Sequence, residues 1–239
     1  MRPDIIIHAA AESDVDRCEL KPDDAWAANV QATQHVVEAA RGCGARLLHV
    51  SSDYVFDGLQ RSPYAETDAP HPVSHYGRTK LAAEEAVRRA AVPWLIIRPS
   101  TLFGPGRPSF VDKVIRLGEA GEPVLAFADQ TTSPSYTRDL AEGTARLLEA
   151  HAEGIVHLAN EGAVSRVVFA RAVLDGWGLS RAVIREVPMA AAQLPAKRPP
   201  NSSLAMTRIQ AVTGWRPRQW REALHDYLQW KKQSLVTHG

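Results

Sequence analysis

Tyr76 and Lys80 are the two residues whose types and spacing most directly suggest chemistry. They stand four positions apart in a segment rich in helix-forming residues, and residues four apart share one face of an α-helix. An ammonium group beside a phenol favours the phenolate, so we expect Lys80 to lower the pKa of Tyr76 from its usual value near ~10. Such a tyrosine can pass a proton to or from a carbonyl and alcohol pair. The spacing therefore indicates a proton donor for a reaction at a carbonyl group.

Hydroxyl side chains follow two predicted strands. Ser51 and Ser52 come directly after the apolar segment 47–50, and Ser100 follows the apolar segment 94–97. Open α/β sheets bind ligands at the carboxyl ends of their strands, so these hydroxyls are expected at one edge of the sheet. A tyrosine–lysine pair at this spacing is common on helix surfaces and is weak evidence alone. Together with the serines it suits hydride transfer to a ketone, in which one residue holds the carbonyl oxygen and another protonates it.

Apolar runs alternate with amphipathic segments over the first two thirds of the chain. The predicted strands cover residues 5–7, 47–50, 94–97, 124–127 and 155–158. The predicted helices cover residues 24–40, 76–91, 110–117 and 139–149. Continuous apolar strands that alternate with helices are typical of a parallel sheet covered on both faces. We therefore expect an α/β fold with a doubly wound, Rossmann-like parallel sheet.

The alternation loosens after about residue 160. Residues 165–174 are predicted to form a helix with Ser165 as its N-cap, and a last helix is predicted over residues 220–231. A proline-rich connection at residues 194–200 separates them. We expect residues 161–239 to form a small C-terminal lobe that is interleaved with the main domain, residues 1–160.

The composition excludes several classes of function. Of the 239 residues, 45% are hydrophobic and 23% are charged, as in ordinary globular proteins. The net charge of +1 gives no electrostatic reason to expect a nucleic acid or an anionic membrane as a partner. No apolar segment approaches the ~18 residues of a membrane span, and the N-terminus lacks signal-peptide features, so a cytoplasmic location is expected. The cysteines form no CxxC pattern and the histidines have no metal-ligand spacing, so no metal site is predicted.

Several motifs give the chain a resemblance to a known family. The most specific cover residues 51–58, SSDYVFDG, and residues 129–134, DQTTSP. Further matching positions are His8–Ala11, Asn29, 64–68, 72–84, 136–141, 198–204 and 220–224. With these motifs the chain resembles the extended short-chain dehydrogenase/reductase family over nearly its whole length. Within that family it is similar to the enzymes that reduce dTDP-4-dehydrorhamnose to dTDP-L-rhamnose.

The resemblance implies reduction of the sugar's 4-keto group by hydride from NADPH or NADH, and it leaves the choice between the two cofactors open. It implies Tyr76 as the general acid, and Lys80 as the residue that lowers the tyrosine pKa and binds the nicotinamide ribose. Ser52, where the family usually has threonine, is implied to bind the carbonyl oxygen. Residues 1–160 then correspond to an incomplete dinucleotide-binding domain, and residues 161–239 mainly to a substrate-binding lobe.

Two sets of binding residues also follow from the resemblance. The residues expected to contact the cofactor are Ala9, Ala10, Ala11, Asn29, Val50, Tyr76 and Lys80. The residues expected to contact the nucleotide sugar are Asp53, Tyr54, Thr101, Arg198 and Asn201. An arginine suits a diphosphate because its planar guanidinium pairs with phosphate oxygens. Thr101 stands where the family often has tryptophan, which leaves the exact sugar open. Members of the family often dimerise, which makes a homodimer one assembly to expect.

No glycine-rich turn follows the first predicted strand. Dinucleotide-binding domains open with a strand and such a turn, which lets the backbone approach the pyrophosphate. Here residues 5–7 lead into Ala9–Ser13, and the first glycine is Gly42. Residues 5–7 therefore match a later strand of the family, and about 50–60 residues of an N-terminal βαβαβ half are expected to be absent. We expect an exposed apolar sheet edge at this strand, weak cofactor binding and little turnover.

Several alternatives stay open at this point. The chain is a fragment, pairs with a second chain, or has lost dinucleotide binding. Ser52 and Thr101 keep open another nucleotide-sugar reductase, epimerase or dehydratase of the same superfamily. A different kind of function is also open, that of a non-catalytic regulatory subunit, because the regulatory subunit of methionine adenosyltransferase has the same fold. The presence of Ser52, Tyr76 and Lys80 argues against a pure scaffold, which has no need for them.

Overall fold

The structure, a computed structural model, describes residues 2–237. The strands are β1 (Ile5–His8), β2 (Arg46–Val50), β3 (Trp94–Arg98), β4 (Leu102–Phe103), β5 (Val124–Phe127), β6 (Thr131–Thr132), β7 (Ser135–Tyr136), β8 (Gly154–His157), β9 (Val164–Ser165) and β10 (Ile184–Val187). The helices are α1 (Val15–Leu20), α2 (Pro22–Trp26), α3 (Ala32–Cys43), α4 (His75–Arg88), α5 (Phe110–Glu119), α6 (Thr137–Glu149), α7 (Arg166–Trp177), α8 (Thr207–Thr213) and α9 (Trp220–Thr237). Among these described helices, none combines the length and the apolar character that crossing a membrane requires.

The main sheet has four parallel strands in the order β1-β2-β3-β8. In its register Val50 lies opposite Ile97, and Arg98 lies opposite His157, so the carboxyl ends of neighbouring strands meet at one edge. Helices α3 and α4 cover one face with a core that includes Val37 and Val87. Residues of α6 and α8 contribute to the core on the other face. This arrangement confirms the doubly wound α/β fold, because apolar strands need helices on both faces.

Strand β1 lies at the edge of this sheet in the described part of the chain, and it pairs with β2. Ile5 is 40% exposed and Ile7 is 57% exposed. The expectation of an exposed apolar edge at this strand is therefore confirmed.

Strand β5 is not part of the main sheet, which corrects the sequence-based prediction. It pairs in parallel with β10, with Val124 opposite Ile184. Its buried side chains belong to a second core, formed mainly by α5, α7 and α9, in which Phe103, Phe169 and Tyr227 pack together. Because this core draws residues from both sides of position 160, the division of the chain at that residue stays a prediction.

The predicted helix over residues 24–40 is confirmed, because residues 22–43 are helical without a break, with a π-helical bulge inside. The structure has α2, a π-helical turn at Ala27–Gln31, and then α3, which ends at Gly44 with a left-handed φ of 72°. Glycine takes this conformation without the steric cost of a Cβ atom. The other predicted helices correspond to α4, α5, α6, α7 and α9.

Helix α4 begins at the carboxyl edge of the sheet, where its packing requires a glycine. The Ser74 hydroxyl caps the helix by accepting a hydrogen bond from the Gly77 amide at 3.1 Å. A Cβ atom on Gly77 would lie 2.2 Å from the carbonyl oxygen of Tyr54, which is too close for any side chain. Gly77 therefore lets the first turn of α4 contact the 3₁₀ turn Asp53–Val55.

A buried ion pair holds the middle of α4 against the sheet. Glu84 accepts hydrogen bonds from the Nε and Nη2 atoms of Arg98 in β3, at 2.8 and 2.6 Å. Glu84 also accepts a hydrogen bond from the hydroxyl of Ser51, which follows β2. Bidentate arginine–carboxylate pairs fix orientation as well as distance, so this contact sets the position of α4 over the ends of β2 and β3.

Candidate active site

A cavity of about 360 Å³ opens at the carboxyl edge of the main sheet. Its walls are the segments that follow β1, β2 and β3, together with Tyr76 and Lys80 of α4 and Arg166 of α7. The strand ends and the tyrosine–lysine pair therefore meet at one cavity, as the sequence predicts.

Ser52 and Tyr76 both line this cavity. Ser52 begins the 3₁₀ turn Asp53–Val55, and its Oγ atom accepts a hydrogen bond from the Tyr54 amide at 3.2 Å. The Ser52 hydroxyl also acts on the Tyr76 phenol, whose pKa it lowers. The Tyr76 ring lies edge-on to the ring of Tyr54, with 5.9 Å between the ring centroids. Two hydroxyls in one cavity can both bind one substrate oxygen, which a carbonyl reaction needs.

The pKa of Tyr76 is raised, which corrects the expectation that Lys80 lowers it. Burial is the largest cause, because a phenolate loses its hydration in this cavity, and the hydrogen bond from Ser52 only partly opposes it. The Lys80 ammonium donates to the carbonyl oxygen of Val50 at 2.7 Å. At neutral pH Tyr76 is therefore a phenol, which is the form that can donate a proton.

Lys80 carries a charge in a buried position. Its side chain is 2% exposed, and burial lowers its pKa to about 8, while the charge of Glu84 acts in the opposite direction. The group is therefore mainly an ammonium at neutral pH. An ammonium has three N–H donors, so Lys80 can serve another acceptor in the cavity besides Val50.

Asp53 lines the cavity beside Ser52. Its carboxylate accepts hydrogen bonds from Ser52 at 3.0 Å and Ser100 at 2.6 Å, and it also interacts with Ser202. Burial raises the pKa of Asp53, and these hydroxyls act against that rise. These contacts let Asp53 orient the Ser52 hydroxyl. Its contact with the sugar stays a prediction.

Asn29 is buried and its side-chain amide is used inside the protein. The Oδ1 atom accepts a hydrogen bond from the Glu12 amide at 2.7 Å, and Nδ2 donates to Glu12 at 3.0 Å and to Thr79 at 2.9 Å. Direct contact of Asn29 with the cofactor stays a prediction. Asn29 fixes the segment after β1, in which Ala9 and Ala11 line the cavity and Ala10 is exposed.

The residues present fit part of a nicotinamide cofactor. Ala9, Ala11 and Val50 are small enough to let a ligand approach the strand ends closely, and Lys80 has free donor capacity for a ribose hydroxyl. The segment from Ala9 to Asp14 contains no glycine, so it does not supply a glycine-rich phosphate turn. The described residues thus fit the nicotinamide and its ribose, and a pyrophosphate site is not among them.

A second cavity, of about 670 Å³, adjoins the first. The two share Val15, Tyr54 and Arg166 as wall residues. The Tyr54 side chain interacts with Gln130, and burial raises the pKa of Tyr54. Arg198, one of the expected sugar-binding residues, lines this second cavity and forms an ion pair with Asp16 at 2.6 Å.

Thr101 lines the first cavity, and Asn201 is hydrogen-bonded to the loop of residues 60–62. Thr101 lines the first cavity with a left-handed φ of 30°, a strained conformation for a β-branched residue, and its hydroxyl accepts a hydrogen bond from Thr132 at 2.6 Å. Asn201 donates to the carbonyl oxygens of Gln60 and Ser62, at 2.8 and 3.2 Å. Its contacts therefore fix the loop of residues 60–62, and its contact with the nucleotide sugar stays a prediction.

Sequence reasoning missed Arg166, Gln130 and Lys113, which line the second cavity. Gln130 lies within a recognised motif, but no contact was assigned to it. Arg166 directly follows Ser165, whose hydroxyl caps α7 by accepting from Val168 at 3.2 Å. The predicted N-cap placed Arg166 at a helix start, and only the tertiary structure shows that this start faces the cavities.

Comparison with known proteins shows which family the chain is similar to. Residues 1–232 match the family model described as the RmlD substrate binding domain. The chain is 40% identical over 230 residues to a dTDP-4-dehydrorhamnose reductase of Mycobacterium tuberculosis. This alignment covers 92% of the chain and 75% of that protein. It is 37% identical over 228 residues to the spore coat polysaccharide biosynthesis protein SpsK of Bacillus subtilis, covering 95% of the chain and 80% of that protein.

A solved structure has the same fold. It is a dTDP-4-dehydrorhamnose reductase of Bacillus anthracis in complex with NADP, with a TM-score of 0.92 and 31% sequence identity. The match covers 95% of the chain and 81% of that protein.

Proposed function

Because the chain belongs to the RmlD substrate binding domain family, we propose that Ser52, Tyr76 and Lys80 are the residues with which it reduces the 4-keto group of dTDP-4-dehydrorhamnose. The chain is an NAD(P)H-dependent oxidoreductase of nucleotide-sugar synthesis, as are the dTDP-4-dehydrorhamnose reductases that it resembles. The presence of Ser52, Tyr76 and Lys80 in the wall of one cavity, at the carboxyl edge of a parallel sheet, is the observation that carries the assignment of the residues.

NAD(P)H, when bound, supplies the hydride that forms the new bond to C4 of the sugar. Ala9, Ala11, Val50 and Lys80 would hold its nicotinamide ribose, because they line the cavity beside the tyrosine. The part of this chain is to bind the ketone, to polarise it and to deliver one proton.

Ser52 and Tyr76 act on the oxygen of the ketone. The Ser52 hydroxyl donates to the carbonyl oxygen in place of Asp53, whose carboxylate keeps its hydrogen bond from Ser100. As negative charge develops on the oxygen, the Tyr76 phenol transfers its proton there and the product becomes an alcohol. The raised pKa of Tyr76 keeps this proton in place until that moment.

Lys80 lies one helical turn along α4 from Tyr76, and its ammonium donates to the carbonyl oxygen of Val50. Its part is to hold the ribose of the cofactor beside the ketone, with the donors that Val50 does not use. Solvent returns a proton to the tyrosine before the next reaction.

We also propose a cytoplasmic location and a homodimer for this protein. A cytoplasmic location and the lack of a nucleic-acid partner are supported by the composition and the net charge of +1. A homodimer is supported by the resemblance of the chain to a family whose members often dimerise. The weak cofactor binding expected from the sequence also stays a prediction.

A substrate panel tests the proposed function. We expect NADPH oxidation with dTDP-4-dehydrorhamnose to match dTDP-L-rhamnose formation mole for mole, and to exceed the rate with UDP- or GDP-linked 4-keto sugars. dTDP-glucose, which has no ketone, is the control and should cause no oxidation. Faster turnover of another nucleotide-linked ketone, or binding of the substrate without turnover at saturating NADPH and NADH, would contradict the proposal.

A further inference from the structure

Arg166 is the first residue of α7, and its side chain lies where the two cavities meet. It lines both the catalytic cavity and the second cavity. Its guanidinium carbon lies 4.6 Å from the centre of the Phe110 ring, and its Nε atom donates to the Gln130 side chain at 3.1 Å. Gln130 in turn interacts with the side chain of Tyr54. The guanidinium is therefore fixed in place before any ligand binds.

One donor of this guanidinium is unused. The Nη1 atom is buried and has no hydrogen-bond partner among residues 2–237. Among residues 2–237, no carboxylate lies within ion-pair distance of Arg166. The neighbouring Asp53 carboxylate is already bound by serine hydroxyls. A buried donor without a partner is costly, and an unused donor on a guanidinium is suited to bind an anion.

The wall of the second cavity carries more positive than negative charge. Among its described wall residues are three cations, Lys113, Arg166 and Arg198, and one carboxylate, Asp16, which is paired with Arg198. The other walls include apolar side chains such as Phe110 and Phe127. A nucleoside diphosphate matches both features, because it has two phosphate charges and a flat base.

We propose that Arg166 binds the phosphate that is linked to the sugar of the substrate, with the nucleoside in the second cavity. The proposal rests on the proposed function and names the anion subsite of that same cavity. Since Arg166 lines both cavities, a hexose whose ketone contacts Ser52 and Tyr76 places its other end beside the guanidinium.

Arg166 and Arg198 differ in their readiness to bind an anion. Arg198 makes two hydrogen bonds to Asp16, at 2.7 and 2.6 Å, so a phosphate has to compete with this carboxylate. Arg166 has an unused donor and needs no such exchange. The sequence pointed to Arg198 for the nucleotide sugar, whereas the structure assigns the primary phosphate contact to Arg166.

Calorimetric titration of the full chain with dTDP and with thymidine tests this proposal. We expect Arg166→Met to weaken dTDP binding about 10- to 100-fold, as loss of a charged hydrogen bond does, and to leave thymidine binding within about two-fold. Arg166→Lys should retain part of the preference for dTDP, because it keeps the charge without the planar fork. The matched control is Lys113→Met in the same cavity, whose exposed side chain should matter less than about three-fold.

The ratio of dTDP to thymidine affinity separates phosphate binding from damage to the fold, and thermal unfolding of each variant checks that fold. If Arg166→Met does not fold, a lower ratio in Arg166→Lys than in the unmodified chain supports the proposal, and an unchanged ratio overturns it. If the unmodified chain binds dTDP and Arg166→Met keeps the same ratio, the role of Arg166 is wrong and the proposed function stands. If the unmodified chain does not bind dTDP, the proposed function fails and this inference fails with it.

Discussion

We expect the Tyr76→Phe variant to lose about 100- to 10,000-fold in kcat for dTDP-4-dehydrorhamnose reduction, which is the usual contribution of general acid catalysis. The substitution removes the phenolic proton and the interaction of the hydroxyl with Ser52. It keeps the ring, and with it the edge-on contact to Tyr54. The loss should therefore appear in kcat, measured by steady-state NADPH oxidation, with little change in the KM for the sugar.

Tyr54→Phe is the matched control for this variant. Tyr54 lines the same cavity, but its side chain interacts with Gln130 rather than with Ser52. Removal of its hydroxyl should act mainly on KM. Retention of more than about a tenth of kcat in Tyr76→Phe, or an equal loss of kcat in both variants, would contradict the assignment of Tyr76 as the proton donor.

The Glu84→Gln variant should lose about 3–5 kcal/mol of unfolding free energy, which is a large part of the stability of an ordinary domain. Glu84 and Arg98 are 1% and 2% exposed, and their ion pair is bidentate. The variant leaves the Arg98 charge buried without its counter-ion. Equilibrium unfolding in urea, followed by circular dichroism, measures the loss.

Glu85 provides a control from the next position of the same helix. Its ion pair with Arg89 is 3.6 Å long, with the two side chains 50% and 80% exposed, so Glu85→Gln should cost less than about 0.5 kcal/mol. The Glu84→Met, Arg98→Met double variant should regain part of the loss, because it removes both buried charges. Equal stability of Glu84→Gln and Glu85→Gln would show that the buried pair does not anchor α4.

The main sheet and its ligand-binding edge could be predicted because their signals are local. Short apolar runs give β1, β2, β3 and β8, and parallel strands place their carboxyl ends together. The four-residue spacing of Tyr76 and Lys80 likewise predicts a shared helix. These two facts place Ser52 and Tyr76 near the same edge, and both residues line one cavity there.

Features that depend on distant contacts could not be predicted in this way. The run that forms β5 is apolar like those of the main sheet, yet its partner β10 lies some sixty residues further on and includes Arg185 and Glu186. The direction of the pKa shift of Tyr76 depends on burial, which the proximity of Lys80 does not reveal. Arg166 lines both cavities only because α7 starts beside them, and the sequence does not show where α7 starts in space.

The position of a transferred deuterium tests most directly whether the chain reduces the 4-keto group of the sugar. The chain would be incubated with dTDP-4-dehydrorhamnose and NADPH deuterated at both C4 positions of the nicotinamide, and the product analysed by NMR. We predict one deuterium, at C4 of the rhamnose ring. Deuterium at any other carbon, or a reduced product without deuterium, would contradict the account.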